Sequence, residues 1–296
     1  MSKQCKCLCQ WQAARDVAGA KSIVTVCAQG DVQRLLRWWF RRHGSCGQPA
    51  KAETGYSVAG LPKTVAIIQA RTGSTRLPRK TLARVLDRPL LDLMLERVEW
   101  ARTLDDIVLA TTRLAQDDDL AAIAGARGVA VVRGSELDVL TRFTDAAVAS
   151  DAEIVVRLTA DCPLIDPVVI DRLVRIHREV RSRVDLLTNS PPIGRTYPDG
   201  MDVEVFAAGA LSRADALSSD PRDREHVTRR MHEPPFVSEV VGLERSAAEV
   251  RVSVDEPGDL ARVRMIFEDL YPRDPRFGLA EVVRWWSDHM HASGAS

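Results

Sequence analysis

No run of 18 or more apolar residues occurs anywhere in the 296-residue chain, so no membrane-spanning helix is expected. An excess of charge of either sign is also missing, since Lys+Arg and Asp+Glu each number 41. Proteins that hold duplex nucleic acid through bulk charge are basic, so nucleic acid is not an expected partner. Cysteine is scarce outside one segment: Cys5, Cys7, Cys9, Cys27 and Cys46 fall in the first 60 residues and Cys162 stands alone. A chain of this length, 45% hydrophobic, can bury a core without disulfide staples, which suits a reducing, cytoplasmic setting. The basic, apolar, then small-residue order of a secretory signal is absent from the amino terminus.

What is present divides near residue 60. Residues 1–60 carry three of the six tryptophans and a basic-aromatic cluster, Arg37-Trp38-Trp39-Phe40-Arg41-Arg42-His43, followed by a Gly/Ser/Pro/Lys stretch that reads as a linker. No amphipathic period there is long enough to build a core. The Cys5-Lys6-Cys7-Leu8-Cys9 alternation spreads its thiolates apart, unlike the paired spacing of structural zinc sites. Residues 1–60 are therefore expected to be a poorly ordered extension, and 61–296 the functional domain.

From Thr64 the pattern changes. Val65–Ile68, Ile107–Ala110, Val129–Val132 and Ile154–Leu158 are short runs rich in β-branched residues, as strands buried on both faces are. Helical segments lie between and after them: Pro89–Ala101, Asp117–Ala126, Leu137–Ala149 and Pro167–Val180. Strands alternating with helices predict a mostly parallel sheet covered on both faces. Further on, Val184–Thr188, Met201–Phe206, Phe236–Val241 and Val250–Val254 are expected as strands, and Pro257–Glu268 and Leu279–Trp286 as helices.

The most informative segment is Gln69-Ala70-Arg71-Thr72-Gly73-Ser74-Thr75-Arg76-Leu77-Pro78-Arg79-Lys80. It follows the first body strand, and ligands of open α/β sheets bind beyond the carboxyl ends of strands. Its glycine lets amides turn inward as an anion nest, its hydroxyls are short donors, and its arginines and lysine match a polyphosphate. Walker A and dinucleotide spacings are both absent. Two aspartates also follow strand-like runs: Asp161 after Ile154–Leu158, and Asp255 after Val252-Ser253-Val254. Magnesium accepts one or two protein carboxylates beside phosphate oxygens, so this pair would suffice, although each aspartate alone also suits a helix cap. Asp166 and Asp259 are expected as caps, Asp117–Asp119 as helix-start charges, and Cys162 as a buried spacer. Asp202 and Glu204, two apart on a strand, would share a face.

The loop, read as strand, Ala-Arg, a Gly/Ser-x-Arg-Leu-Pro core and then Lys, resembles the signature of sugar-activating cytidylyltransferases. Within them it is most similar to the spore coat polysaccharide biosynthesis protein F group, related to CMP-Kdo and acylneuraminate cytidylyltransferases. The resemblance runs from about Thr64 to His289. It implies a nucleotide-diphospho-sugar-transferase-like (GT-A, Rossmann-like) α/β fold, a three-layer αβα sandwich with a mostly parallel mixed sheet. It also implies transfer of CMP from CTP to a sugar, an acidic keto sugar as first choice, with release of pyrophosphate, in the service of surface polysaccharide or glycoconjugate synthesis. Mg²⁺ is the implied cofactor, held by Asp161 and Asp255. Arg71, Arg76, Lys80 and Asp161 are the implied catalytic set. Gln69, Ala70, Arg71, Gly73, Ser74, Arg76, Lys80, Thr111 and Thr112 are implied to bind the nucleotide, and Tyr197, Asp202, Glu204 and His226 the acceptor. Arg79 stands where many relatives have glycine and is left out. The resemblance allows a homodimer and implies no membrane insertion. Two alternatives stay open: a glycosyltransferase using a nucleotide-sugar donor, since fold alone does not fix chemistry, and a non-catalytic nucleotide-binding protein.

Overall fold

The structure, a computed structural model, describes residues 60–290 together with Ile23–Val24. The expectations for the rest of residues 1–60, including the cysteine cluster and the Arg/Trp run, lie outside the described residues.

The strands are β1 (Ile23–Val24), β2 (Thr64–Gln69), β3 (Arg84–Val85), β4 (Arg88–Pro89), β5 (Asp106–Thr112), β6 (Ala130–Gly134), β7 (Ile154–Thr159), β8 (Leu186–Thr188), β9 (Glu204–Ala207) and β10 (Ser238–Val241). The α-helices are α1 (Leu90–Glu99), α2 (Asp118–Ala126), α3 (Val139–Ala149), α4 (Pro167–Val180), α5 (Ala208–Leu217), α6 (Pro221–His226), α7 (Pro257–Leu270) and α8 (Leu279–Met290). One sheet runs in the order β1-β10-β8-β9-β7-β2-β5-β6. It is parallel except at β9, which is antiparallel to both β7 and β8. Among the described residues, no helix is long and apolar enough to cross a membrane.

The central strands are apolar throughout because both of their faces are covered. Ala66 and Ile68 of β2 face a cluster containing Leu91 and Leu95 of α1, Leu120 of α2 and Ile170 of α4. Val65 and Ile67 face the opposite cluster, with Leu140 and Phe143 of α3 and Leu211 of α5. Period-two alternation along one strand thus serves two helical layers. A third cluster packs α7 and α8 against Leu90 and Leu93 of α1 and against Val250, Val252 and Val254.

Most expected elements are present within a few residues, and α4 has the expected limits. Asp166 caps it, accepting from Val168 N at 2.7 Å and from Leu279 N, at the start of α8, also at 2.7 Å. Three local expectations differ. Val250–Val254 is extended, with its three valines buried, but it forms no strand: it makes one parallel bridge, Asp199 to Arg251. Its amides bond to loops instead, since Val252 and Ser253 donate to Asp199 O and Val254 donates to Asp161 O. The expected strand Met201–Phe206 starts only at Glu204, and the expected strand Phe236–Val241 only at Ser238. The Ala-rich α5 and the β3–β4 hairpin were not anticipated. The hairpin turns through Leu86 and Asp87, both left-handed, without the glycine that usually marks such a turn.

Gly200 is where this loop packing is tightest. Its φ is 104°, and an added Cβ would lie 2.3 Å from Ser253 N and 2.5 Å from Val252 C. Both are backbone atoms, so the 250–255 segment would have to move. Gly200→Ala is therefore expected to displace that segment and destabilise the chain by about 1–3 kcal/mol, read as a lower urea midpoint.

A second consequence concerns acid stability. His177 on α4 is fully buried, and neither ring nitrogen has a partner. Burial, reinforced by Arg181, lowers its pKa to about 4. Above pH 6.5 neither folded nor unfolded chain protonates this ring. Between 6.5 and 4 the unfolded chain gains a proton that the folded chain refuses, so stability falls by about 3 kcal/mol over that window. Urea unfolding of His177→Leu at pH 7 and pH 4.5 is expected to show this part of the acid loss removed.

Candidate active site

β2 and β7 are parallel neighbours, and their register sets Gln69 beside Thr159. The loops that leave these two strands therefore emerge side by side. Between them opens a cleft of about 360 Å³. Gln69, Ala70, Arg71, Gly73, Ser74, Arg76 and Lys80 line it from the first loop and Asp161 from the second. Asp255, just before α7, and His226, at the end of α6, also line it.

The centre of the cleft is an ion cluster. The Lys80 ammonium lies 3.1 Å from Asp161 Oδ2 and 2.9 Å from Asp255 Oδ1. Arg76 Nη2 lies 2.9 Å from the same Asp255 oxygen. Residues 175 positions apart in the chain thus share one charge centre. Lys80 is held on a single 3₁₀ turn, Lys80–Leu82, entered through Arg79 at φ 59°. That left-handed backbone explains why a glycine suits position 79. The Arg79 side chain turns away to the exposed Asp119.

The electrostatics favour the charged forms of Lys80 and Asp161. Burial alone would lower the Lys80 pKa, but Asp161 and Asp255 outweigh it and the net direction is up. Burial alone would raise the Asp161 pKa, but Lys80 and the Thr159 hydroxyl outweigh it and the net direction is down. Cys162 next door is the reverse case: burial and the adjacent Asp161 push its thiol well above its usual range, which leaves it an inert spacer as expected. Arg71 makes only long contacts, 3.8 Å to Glu136 and 3.6 Å to Glu225, all three side chains being over a third exposed. Such pairs are weak and readily exchanged for a bound anion.

Three placements differ from expectation. Thr111 and Thr112 are fully buried and do not line the cleft. The Thr112 hydroxyl donates to Asp117 Oδ2. Asp117 is more than a helix-start charge: its other oxygen accepts from Thr72 N at 2.8 Å and Thr72 Oγ1 at 2.6 Å, clamping the phosphate-loop backbone from below. Tyr197 is also fully buried, its hydroxyl accepting from Arg172, and it does not reach the cleft. Asp202 and Glu204 do share a face, but on a side chamber that meets the main cleft at Thr159. Asp259 is the third-position member of a capping box with Glu256, and its carboxylate accepts from the Asp255 and Glu256 amides.

Arg142, which no sequence pattern singled out, lines the cleft from α3 although it is 2% exposed. Its Nε has no partner. Gly134 makes room for it, since a Cβ there would lie 2.4 Å from Arg142 Cγ. Among the described residues, no group of three or more His, Cys, Asp and Glu side chains could hold a metal ion. The residues suited to a hard divalent cation are the two carboxylates around Lys80, which already gather positive charge and offer only oxygen donors.

This cleft can hold a polyanion against a paired-carboxylate cation site, and known proteins of similar sequence and fold have related activities. The cytidylyltransferase family profile matches residues 65–205. The spore coat polysaccharide biosynthesis protein SpsF of Bacillus subtilis is 33% identical over 228 residues, covering 73% of this chain and 91% of that one. The 8-amino-3,8-dideoxy-manno-octulosonate cytidylyltransferase of Shewanella pealeana is 33% identical over 129 residues, covering 41% of this chain and 50% of that one. A solved cytidylyltransferase structure from Leptospira borgpetersenii superposes with a TM-score of 0.74 at 31% identity, covering 79% of this chain and 98% of that one. The chain belongs to the cytidylyltransferase family and is a nucleotidyltransferase.

Proposed function

We propose that this enzyme transfers CMP from CTP to a sugar hydroxyl, on a nucleotide-diphospho-sugar-transferase-like scaffold. The observation that carries this reading is the convergence of Arg76, Lys80, Asp161 and Asp255 at the mouth of the β2 loop. The hydroxyl oxygen of the acceptor bonds to the α-phosphorus of CTP, the bond from that phosphorus to the bridging oxygen breaks, and pyrophosphate leaves. The hydroxyl proton passes to solvent. Reactions of this kind need positioning and charge neutralisation more than covalent help.

Each residue has a role that follows from its surroundings. The Gly73 amide and the Ser74 hydroxyl offer donors to phosphate oxygens, whereas the Thr72 amide is taken by Asp117 and the Ser74 amide by the Thr72 carbonyl. Arg71 and Arg76, both weakly paired, exchange their carboxylate partners for the triphosphate and offset charge on the departing pyrophosphate. Lys80, largely buried and held cationic, faces the same charge. Gln69, Ala70 and Arg142 also line the cleft and are assigned to the nucleoside. Asp161 and Asp255 would hold Mg²⁺, which when bound supplies a Lewis acid for the phosphate oxygens. The depressed pKa of Asp161 keeps it ionised for that role.

For the acceptor, we assign the side chamber with Asp202 and Glu204, and His226 at the rim. An acidic keto sugar is supported by the octulosonate in the name of the Shewanella relative, and a polysaccharide destination by that of the Bacillus relative.

Asp161→Asn is expected to lower pyrophosphate release from CTP by on the order of a hundredfold or more; turnover near normal at saturating magnesium and CTP would sink the metal assignment. Asp117→Asn acts one step back, loosening the loop through Thr72. It is expected to raise the KM for CTP roughly tenfold with a smaller change in kcat, measured by steady-state pyrophosphate release.

A further inference from the structure

Three neighbouring strands set Gln69, Arg157 and Glu204 in one row. Glu204 of β9 stands opposite Arg157 of β7, and Arg157 stands opposite Ile67 of β2. Gln69 lies two residues beyond Ile67, so it shares the face that Ile67 turns toward α3. Arg157 is the middle member. Its side chain is only 15% exposed, and its guanidinium lies 6.0 Å from the centre of the Phe143 ring on α3.

Arg157 donates its Nε–H and an Nη2–H to Gln69 Oε1, at 3.2 and 3.1 Å, and an Nη1–H to Glu204 Oε2 at 2.5 Å. The buried Thr228 hydroxyl lies 3.0 and 2.9 Å from the two Glu204 oxygens. Glu204 is thus engaged within the protein. It lines the side chamber, and it bears on the main cleft through Arg157. A guanidinium carries only donors, so the Gln69 atom that faces it is the carbonyl oxygen. Two N–H groups occupy both lone pairs of that oxygen. The amide NH2 is left for the cleft that Gln69 lines, and no group among the described residues accepts from it. An untethered glutamine can turn over and present either its oxygen or its NH2. This one presents donors alone.

We infer that Arg157 is a positioning residue that fixes Gln69 as a donor-only reader of the base, and that this polarity selects CTP over UTP. The inference rests on the cytidylyltransferase reading above and deepens the assignment of Gln69 to the nucleoside. The pairing edge of cytosine offers two adjacent acceptors, O2 and N3, to an NH2 group. Uracil carries a proton on N3, so the same NH2 would meet a donor and leave both groups unpaired. Glu204 and Thr228 hold the guanidinium in place, and the Phe143 ring closes it off from below.

The test is calorimetry of CTP and of UTP with the full-length enzyme and magnesium, read as the ratio of the two Kd values. The unmodified enzyme is expected to bind CTP about 100-fold more tightly than UTP. Gln69→Glu keeps the partner of Arg157 but presents an acceptor oxygen to the cleft. Its added charge weakens both nucleotides alike, so the ratio isolates polarity; it is expected to fall by about tenfold or more. Arg157→Met, which lets the amide turn, is expected to lower the ratio by roughly tenfold. Arg157→Lys, again a donor-only cation, is expected to restore most of it. A purely structural role for Arg157 would weaken both nucleotides and leave the ratio unchanged. Equal binding of CTP and UTP by the unmodified enzyme, or an unchanged ratio in Gln69→Glu, would overturn the inference. Failure of the cytidylyltransferase reading would show separately, as selective CTP binding with no pyrophosphate released in the presence of any sugar acid. Binding of neither nucleotide would overturn both.

Discussion

One backbone hydrogen bond links the two halves of the candidate site: the Val254 amide donates to the Asp161 carbonyl at 2.8 Å. Asp161 stands at the start of the loop after β7, a central strand of the sheet, whereas Asp255 precedes α7 in the last fifth of the chain. Without that bond and the Asp199 contacts beside it, the two carboxylates would belong to separate layers. With them, Lys80 can reach both acids from a third segment. The packing around Gly200 and the third hydrophobic cluster exist in register with this junction, so core packing and site geometry are one constraint.

Charge compensation is the second theme. Every acid in the cleft faces a cation, and the two exposed arginines are held less firmly than the buried lysine. Lys80 is 11% exposed and doubly paired, Arg76 is 59% exposed and singly paired, and Arg71 has only long contacts. A gradient from fixed to exchangeable charge suits a ligand that arrives from solvent with several negative charges. The side chamber lacks that gradient, because its arginines are tied to Asp202 and Glu204. The two cavities share Thr159 in their walls.

A supporting layer lies beneath both. Asp117 joins Thr112 at the end of β5 to Thr72 in the phosphate loop, so the neighbouring strand fixes the loop that leaves β2. Arg97 has a comparable structural task, donating from α1 to the Ile165 and Phe277 carbonyls and thereby tying the loop before α4 to the start of α8. Neither residue type announces such a role in sequence, since a buried aspartate or arginine is defined by partners far along the chain.

The sequence by itself determined the alternation of buried strands and helices, because burial on both faces writes continuous β-branched runs into each central strand. It also determined the phosphate loop, whose glycine, hydroxyls and basic residues are contiguous. It marked Asp161 and Asp255 as acids at strand-like ends, and Asp166 as a cap, because these are local signals. Only the tertiary structure decided that Lys80 bridges the two acids, that Asp117 is a clamp, that Arg142 opens into the cleft, and that Thr111, Thr112 and Tyr197 are buried away from it. It likewise decided that Val250–Val254 bonds to loops and joins no sheet. Local patterns fix φ, ψ and burial tendency, whereas the partner of a charged or polar group is set by which distant segments the sheet order brings together.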